Sequence, residues 1–386
     1  MTEQFLQHSS FILYSLFLIL AVTFSLMINS LFLRFFKTLG IRNNLDGTVI
    51  RWGAMSKPSI GGITFYIMFL LSLASYSILF EPAQDAYQLG FVGLLLASGT
   101  GFLIGLADDA YNTKPWLKFG VQLLSGLILI STGISIHIFS SDVLNYLITL
   151  FWVVGIMNSI NMLDNMDGIT SIVSIGIILN TIYIIIYNND IVNMHLLVLI
   201  GVLSSLIAFL RFNWHPSKMY MGDTGSQFLG VFLAAMGIIY FWNDPYSKEA
   251  PATGKLLAGT IMTFILPILD TTVVVFNRLS AGRSPFVGGK DHTTHSLALL
   301  GLSDSQVSLA FVGLASLSLF MNILISEFIS EWSHAASIFF GTYFILLLCF
   351  FFYTTRNKKI KSRERLREIK LSQGESSRAS DLMKSN

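Results

Sequence analysis

Residues 158–170 read N-S-I-N-M-L-D-N-M-D-G-I-T and lie between two apolar runs, 143–160 and 169–187. Asn158, Asn161 and Asn165 recur at i, i+3 and i+7, so a helix through them gathers the three amides on one face, with Asp164 adjoining. Asp167-Gly168 then reads as a turn. Polar groups at the end of an apolar helix are costly unless water, protein or an ion satisfies them, so this cluster marks a functional site.

The flanking runs are representative of the chain. Of 386 residues, 53% are hydrophobic and 12% charged, with a mean hydropathy of +0.66, whereas a soluble domain carries about 25% charge. That excludes an ordinary soluble enzyme and predicts an all-α polytopic membrane protein. A spanning helix needs about 20 mostly apolar residues, and eleven such runs are found, near 11–33, 60–80, 89–106, 117–138, 143–160, 169–187, 195–212, 226–242, 256–276, 306–326 and 335–353. Met1 to Ser10 lack the basic region of a secretory signal, so the first run is expected to be retained.

Alternating the connections places Lys248 and Lys255 on one side and the other 22 of the 24 Lys and Arg residues on the opposite one. The rich side is cytoplasmic by the positive-inside rule, which puts the N-terminus outside and the C-terminus inside. Arg34, Lys37, Arg42, Arg51 and Lys57 mark the first inner loop, Lys114 and Lys118 the second, Arg211 and Lys218 the fourth, and Arg278, Arg283 and Lys290 the fifth. The expected organisation is a membrane domain over 1–355 and a basic cytoplasmic tail over 356–386. The tail opens as R-N-K-K-I-K-S-R-E-R-L-R-E-I-K, suited to anionic inner-leaflet lipid, and its end reads as disordered. The single cysteine, Cys349, sits in an apolar run and reads as packing.

Every concentrated polar motif falls at a helix end on the same side. Lys57-Pro58-Ser59-Ile60-Gly61-Gly62 brings glycines that admit a ligand to the start of a helix. Helices entering from the cytoplasm point free N–H groups and a positive dipole end toward anions there. The third span ends in Asp108-Asp109. Neighbouring helical residues diverge by about 100°, so the two carboxylates have separate roles, one for a cation-bearing phosphate and one for a proton or a basic partner. Lys118 follows at the entry of the fourth span, available for a phosphate.

In Arg211 to Ser226, Asp223 is flanked by Gly222 and Gly225 and followed by Thr224 and Ser226. A hard oxygen ligand, open amides and a helix start suit Mg2+ and a diphosphate, and Trp214 and Tyr220 are available to stack on a base. His292 and His295, with Arg283 and Lys290, form a cationic patch suited to phosphates. Zinc would require further ligands.

Taken together, K-P-x-x-G-G at 57–62, D-D at 108–109 with Lys118, N-x-x-N-x-x-D-x-x-D-G at 158–168 and M-G-D-x-G-S at 221–226 resemble the polyprenyl-phosphate N-acetylhexosamine-1-phosphate transferases, which include phospho-N-acetylmuramoyl-pentapeptide transferase. Asn165 departs from the glycine common in that family. The D-H-T-T-H loop at 291–295 lacks three consecutive histidines, which favours the branch using simpler UDP-N-acetylhexosamines.

The resemblance implies transfer of GlcNAc 1-phosphate from a UDP-sugar to undecaprenyl phosphate at the cytoplasmic face of a bacterial inner membrane. UMP is released, as the first step of a lipid-linked cell-envelope glycan. It implies Mg2+ as cofactor, with Mn2+ as substitute, held by Asn161 and Asp223. Asp108 would activate the polyprenyl phosphate with support from Asp109, and Asp164 and Asp167 complete the catalytic set. Asp167, Asn213 and Tyr220 would lie near the uridine; Lys57, Lys118, His292 and His295 would contact phosphates; Asn158 and Arg283 would contact substrate. Membrane lipid and a second copy of the chain are the other expected partners, and nucleic acid is not one. The alternatives are the muramoyl-pentapeptide enzyme and a secondary transporter, the latter disfavoured because transporter sites lie at the bilayer midplane.

Overall fold

The computed structural model describes residues 2–38, 57–80, 89–246, 252–284, 289 and 291–356. Arg42, Arg51, Lys248, Lys290 and the tail beyond Arg356 lie outside the described residues. The helices are α1 (Thr2–Thr38), α2 (Gly61–Leu79), α3 (Leu89–Tyr111), α4 (Pro115–Ser131), α5 (Asp142–Leu163), α6 (Ile169–Tyr187), α7 (Met194–Asn213), α8 (Gly222–Gly237), α9 (Thr253–Thr263), α10 (Ile265–Ser280), α11 (Thr293–Leu299), α12 (Asp304–Phe328) and α13 (His334–Arg356). Among the described residues the chain is all-helical, apart from an isolated parallel bridge between Ser59 and Tyr220.

Nine of these helices are long and apolar enough to cross a membrane, α8 being counted with its π-helical extension Ile238–Trp242; α9 and α10 make a tenth if their bent pair is one span. The bend of 79° falls at Phe264. Pro267 explains it, because a proline ring clashes with the carbonyl four residues earlier, here that of Thr263, and has no N–H to give. The run 117–138 yields a helix of only 17 residues, ending at Ser131. Gly133 at φ +89° turns the chain, and the following backbone is held from α5 instead: Ile136 N–H donates to Thr149 Oγ1, and Ile138 and Phe139 N–H donate to Asn145 Oδ1.

Helix α8 is the axis. Every residue from Thr224 to Gly237 is buried, against α3, α5 and α2. Apolar side chains gain little by leaving lipid for protein, so close backbone contact between small residues does the packing. A Cβ on Gly62 would lie 2.1 Å from the Gly225 nitrogen, and one on Gly105 2.2 Å from the Asp223 carbonyl oxygen. Those contacts press the starts of α2 and α8 and the end of α3 together at one end of the bundle.

Candidate active site at one end of the bundle

Helix α3 continues without unwinding through Asp108 and Asp109, so the two carboxylates diverge. Asp108 faces α4: Oδ1 accepts from the Thr113 N–H at 2.9 Å and from the Thr113 hydroxyl, and Oδ2 accepts from Lys118 Nζ at 2.9 Å. Asp109 faces α8. It accepts the backbone N–H groups of Asp223 and Thr224 at 3.0 and 2.9 Å and the Thr224 hydroxyl at 2.7 Å. One carboxylate is therefore paired with a cation, and its neighbour satisfies donors that a helix start leaves open.

Lys118 also reaches Asp223 Oδ2 at 2.7 Å, so one ammonium bridges acids from α3 and α8. On the other side of that carboxylate, Asn161 Nδ2 donates to Asp223 Oδ1 and to Ser226 Oγ, both at 2.8 Å. Three stretches meet there, 108–118, the end of α5 at Asn161 and the start of α8 at Asp223, and the site is half-buried. Attractions at such a place are stronger than at a water-exposed surface.

The loops around this core are tied to one another. Asp167 Oδ2 accepts from the Ser217 N–H at 2.9 Å and stands 3.1 Å from His215 Nδ1, while Oδ1 accepts the Ser217 hydroxyl at 2.7 Å. Lys57 Nζ donates to Ser217 Oγ at 2.9 Å and lies 5.1 Å from the centre of the Tyr220 ring. Around Tyr220 the backbone pairs: Tyr220 N–H with Pro58 O, Gly61 N–H with Tyr220 O and Gly62 N–H with Met221 O. The K-P-x-x-G-G and M-G-D-x-G-S segments thus dock by main chain as well as by side chain.

Several expected substrate residues have protein partners. Asn213 is buried, accepts the Gly168 N–H at 2.9 Å and donates to Met219 O at 2.9 Å. It pins the turn before α6 to the loop before α8. Asn158 pairs with Gln122 rather than with its neighbour Asn161's partners. Helix α5 ends at Leu163, with Asp164 as its C-terminal cap, so Asn165 lies beyond the helix; its Oδ1 accepts the Thr294 hydroxyl at 2.7 Å. Arg283 is exposed, with its backbone N–H on Arg278 O.

The histidine loop docks on an acid that the motif reading overlooked. Asp270 is 1% exposed; its Oδ2 stands 3.0 Å from His292 Nδ1, and its Oδ1 accepts the Thr293 N–H at 2.9 Å and hydroxyl at 2.6 Å. The signal was a carboxylate inside the apolar run 256–276. His295 lies beside His292, with ring centres 5.9 Å apart. Arg278 grips Asp291 by Nε to Oδ2 at 2.8 Å and by a terminal nitrogen to Oδ1 at 2.7 Å. Burial opposes ionisation of Asp291, but the guanidinium outweighs it and holds the carboxyl below the usual range.

Among the described residues no three His, Cys, Asp or Glu side chains gather as a metal cluster. What the centre offers is a partial sphere: the Asp223 carboxylate, with the Asn161 amide 2.8 Å away and able to present its oxygen by turning over. Such a set fits a hard cation like Mg2+, which keeps waters and takes substrate phosphates as ligands, and does not fit structural zinc.

Nine or ten membrane-length helices among the described residues, with an acid-lysine-amide centre at one bundle end, define an integral membrane protein with an enzyme-like site. The model of glycosyl transferase family 4 matches residues 91–241, from α3 into the π-helical extension of α8. Three relatives are similar over a longer stretch. A probable undecaprenyl-phosphate N-acetylglucosaminyl 1-phosphate transferase of Bacillus subtilis is 29% identical over 255 residues, 64% of this chain and 67% of the relative. A decaprenyl-phosphate N-acetylglucosaminephosphotransferase of Mycobacterium leprae is 28% identical over 281 residues, 65% and 69% of the two chains. A phospho-N-acetylmuramoyl-pentapeptide-transferase of Streptococcus agalactiae is 35% identical over 199 residues, 47% of this chain and 59% of the relative.

Proposed function

We propose that the protein transfers an N-acetylhexosamine 1-phosphate, with GlcNAc 1-phosphate as the group moved, from a UDP-sugar to undecaprenyl phosphate or another polyprenyl phosphate. An oxygen of the lipid phosphate forms a bond to the sugar-bearing phosphorus. The bond from that phosphorus to the bridging oxygen breaks, and UMP leaves with the electron pair. Both reactants are anionic and one is anchored in lipid, so the catalyst must hold phosphates in line and neutralise charge.

The observation that carries this reading is the single ammonium of Lys118 between Asp108 and Asp223, with Asn161 beside the second acid. Asp108 orients the lipid phosphate and takes its proton when it is protonated. Lys118 stands where the phosphates meet. Asp223 and Asn161 would hold Mg2+ or Mn2+, whose charge would stabilise the diphosphate and the leaving UMP. Tyr220 and Asp167, at the docked loops, would lie near the uridine, and Lys57, His292 and His295 would serve the phosphates. Eleven spans, with the broken pair α9–α10 and the short α4 counted as one each, would put the N-terminus outside and the site at the cytoplasmic face of a bacterial inner membrane. A homodimer is the expected assembly.

Purified protein in detergent, given undecaprenyl phosphate, Mg2+ and a panel of UDP-sugars that includes the muramoyl-pentapeptide donor, is the test. UMP release with one UDP-N-acetylhexosamine, lost in Asp108→Asn and Asp223→Asn, is expected. Turnover of the muramoyl-pentapeptide donor alone would move the chain to the branch of its streptococcal relative. Folded protein that released UMP from none of them would return the transporter reading to first place.

A further inference from the structure

One helical turn beneath the Lys118–Asn161–Asp223 centre, the same three helices meet a second time. Gln122 lies four residues after Lys118 on α4, Asn158 three before Asn161 on α5, and Gln227 four after Asp223 on α8, so each pair shares a helix face. Their amides form one chain of hydrogen bonds. Asn158 Nδ2 donates to Gln122 Oε1 at 2.9 Å, and Gln122 Nε2 donates back to Asn158 Oδ1 at 3.3 Å and on to Gln227 Oε1 at 3.0 Å. Gln122 is 1% exposed and Gln227 fully buried. A turn further in, Ser125 of α4 meets Thr100 of α3, the helix carrying Asp108, at 2.8 Å.

This layer is a poor way to gain stability. Gln227 Nε2 is buried with no hydrogen-bond partner among the described residues, and apolar side chains of the same volume would pack between these helices at no desolvation cost. An amide chain does what apolar packing does not: it has direction and fixed length, so it sets the rotation of each helix about its own axis. A single buried amide is known to select register in helix assemblies in this way. Rotation decides where the carboxylate, ammonium and amide one turn above will point.

We propose that Gln122, Asn158 and Gln227 are positioning residues that hold Lys118, Asn161 and Asp223 in their reactive arrangement through the rotation of α4, α5 and α8. The claim rests on the transfer reading for its kinetic test, and a second test is independent of turnover. In the apolar variant Gln122→Met/Asn158→Leu/Gln227→Met, which leaves no amide of the chain stranded, the melting temperature stays at or above that of the unmodified protein. Its kcat for UMP release falls about tenfold or more with KM for the UDP-sugar little changed, the scale seen when supporting residues release a reactive group. The exchanged variant Gln122→Asn/Asn158→Gln restores an amide pair of the same combined length and recovers most of the lost kcat. Independently of turnover, Lys118 reacts several-fold faster with acetic anhydride in the apolar variant, read by mass spectrometry, because the ammonium is no longer clamped between two carboxylates.

Full kcat in the apolar variant would overturn the proposal. So would a fall in kcat that tracks a fall in melting temperature and is not recovered by the exchange, which would make the layer plain packing. If the unmodified protein released no UMP from any donor, the transfer reading would fail, and the acetylation rates would still decide the positioning claim: equal rates would end it.

Discussion

The carboxylate of Asp109 accepts the backbone N–H of Asp223 at 3.0 Å, so the second acid of the D-D pair holds the helix start on which the acid of the M-G-D segment stands. Asp108 and Asp109 are adjacent, yet one lies in the charged centre and the other beneath it. Their substitutions should therefore separate. Asp109→Ala strips three donors of their acceptor and should lower stability by about 2 kcal/mol, the upper range for a lost helix cap, and take UMP release with it. Asp108→Asn should keep the melting temperature within a few degrees while removing turnover. Thermal melts in detergent beside UMP release check both; equal destabilisation in the two variants would contradict the division of labour.

Removal of divalent metal should stop turnover without unfolding the protein. Lys118 already neutralises part of the charge on Asp108 and Asp223, so the acids are not left facing one another when a cation is withdrawn. EDTA should abolish UMP release and leave the melting temperature nearly unchanged, and added Mg2+ should restore activity. In Lys118→Met that protection is gone, and EDTA should then lower the melting temperature as well. A large drop on chelating the unmodified protein would show that the centre depends on metal for its structure.

The close approaches around α8 give a prediction about shape alone. A methyl at Gly62 or Gly105 would strike backbone at 2.1 or 2.2 Å, where no side chain can swing away. Gly62→Ala and Gly105→Ala should each cost about 3 kcal/mol or prevent accumulation of folded protein, at or beyond the top of the range for overpacking. Gly120 in α4 has nothing within 4 Å of a built Cβ. Gly120→Ala should be neutral or stabilise by up to about 1 kcal/mol through helix propensity. Detergent melts of the three variants decide it.

The polar blocks were readable because charge and glycine stand out in an apolar chain, and the structure joins them: Lys118 to Asp108 and Asp223, Asn161 to Asp223, and Lys57 through Ser217 to Asp167. What escaped was the direction of each side chain. Asn158 and Asn161 share a helix face as their spacing requires, but one turn of rise gives them different partners. Asn213 looks like a ligand in a loop and is spent on two backbone groups. Gln122 stands alone in an apolar helix and Gln227 merely follows the M-G-D-x-G-S block, so neither carries a charge that would single it out. The interruption of the ninth run was visible in Pro267, but its angle of 79° depends on what the two halves pack against.

Asp270 and His292 allow a test by paired substitution. The carboxylate is buried and its two oxygens are committed to the imidazole and to Thr293. Removing the imidazole alone, in His292→Ala, leaves the buried acid short of its partner, a change that costs about 3–5 kcal/mol when a buried pair is broken. Asp270→Asn alone keeps a side chain of the same shape and leaves the imidazole with a neutral amide. The double variant Asp270→Asn/His292→Ala has no buried charge to strand, so it should be more stable than His292→Ala alone, although it carries one substitution more. Sub-additive losses of that kind are the signature of a direct interaction between the two sites. Strict additivity in the four melts would mean that His292 and Asp270 act separately, and the docking of the histidine loop would then rest on Thr293 and on the bond from Thr294 to Asn165.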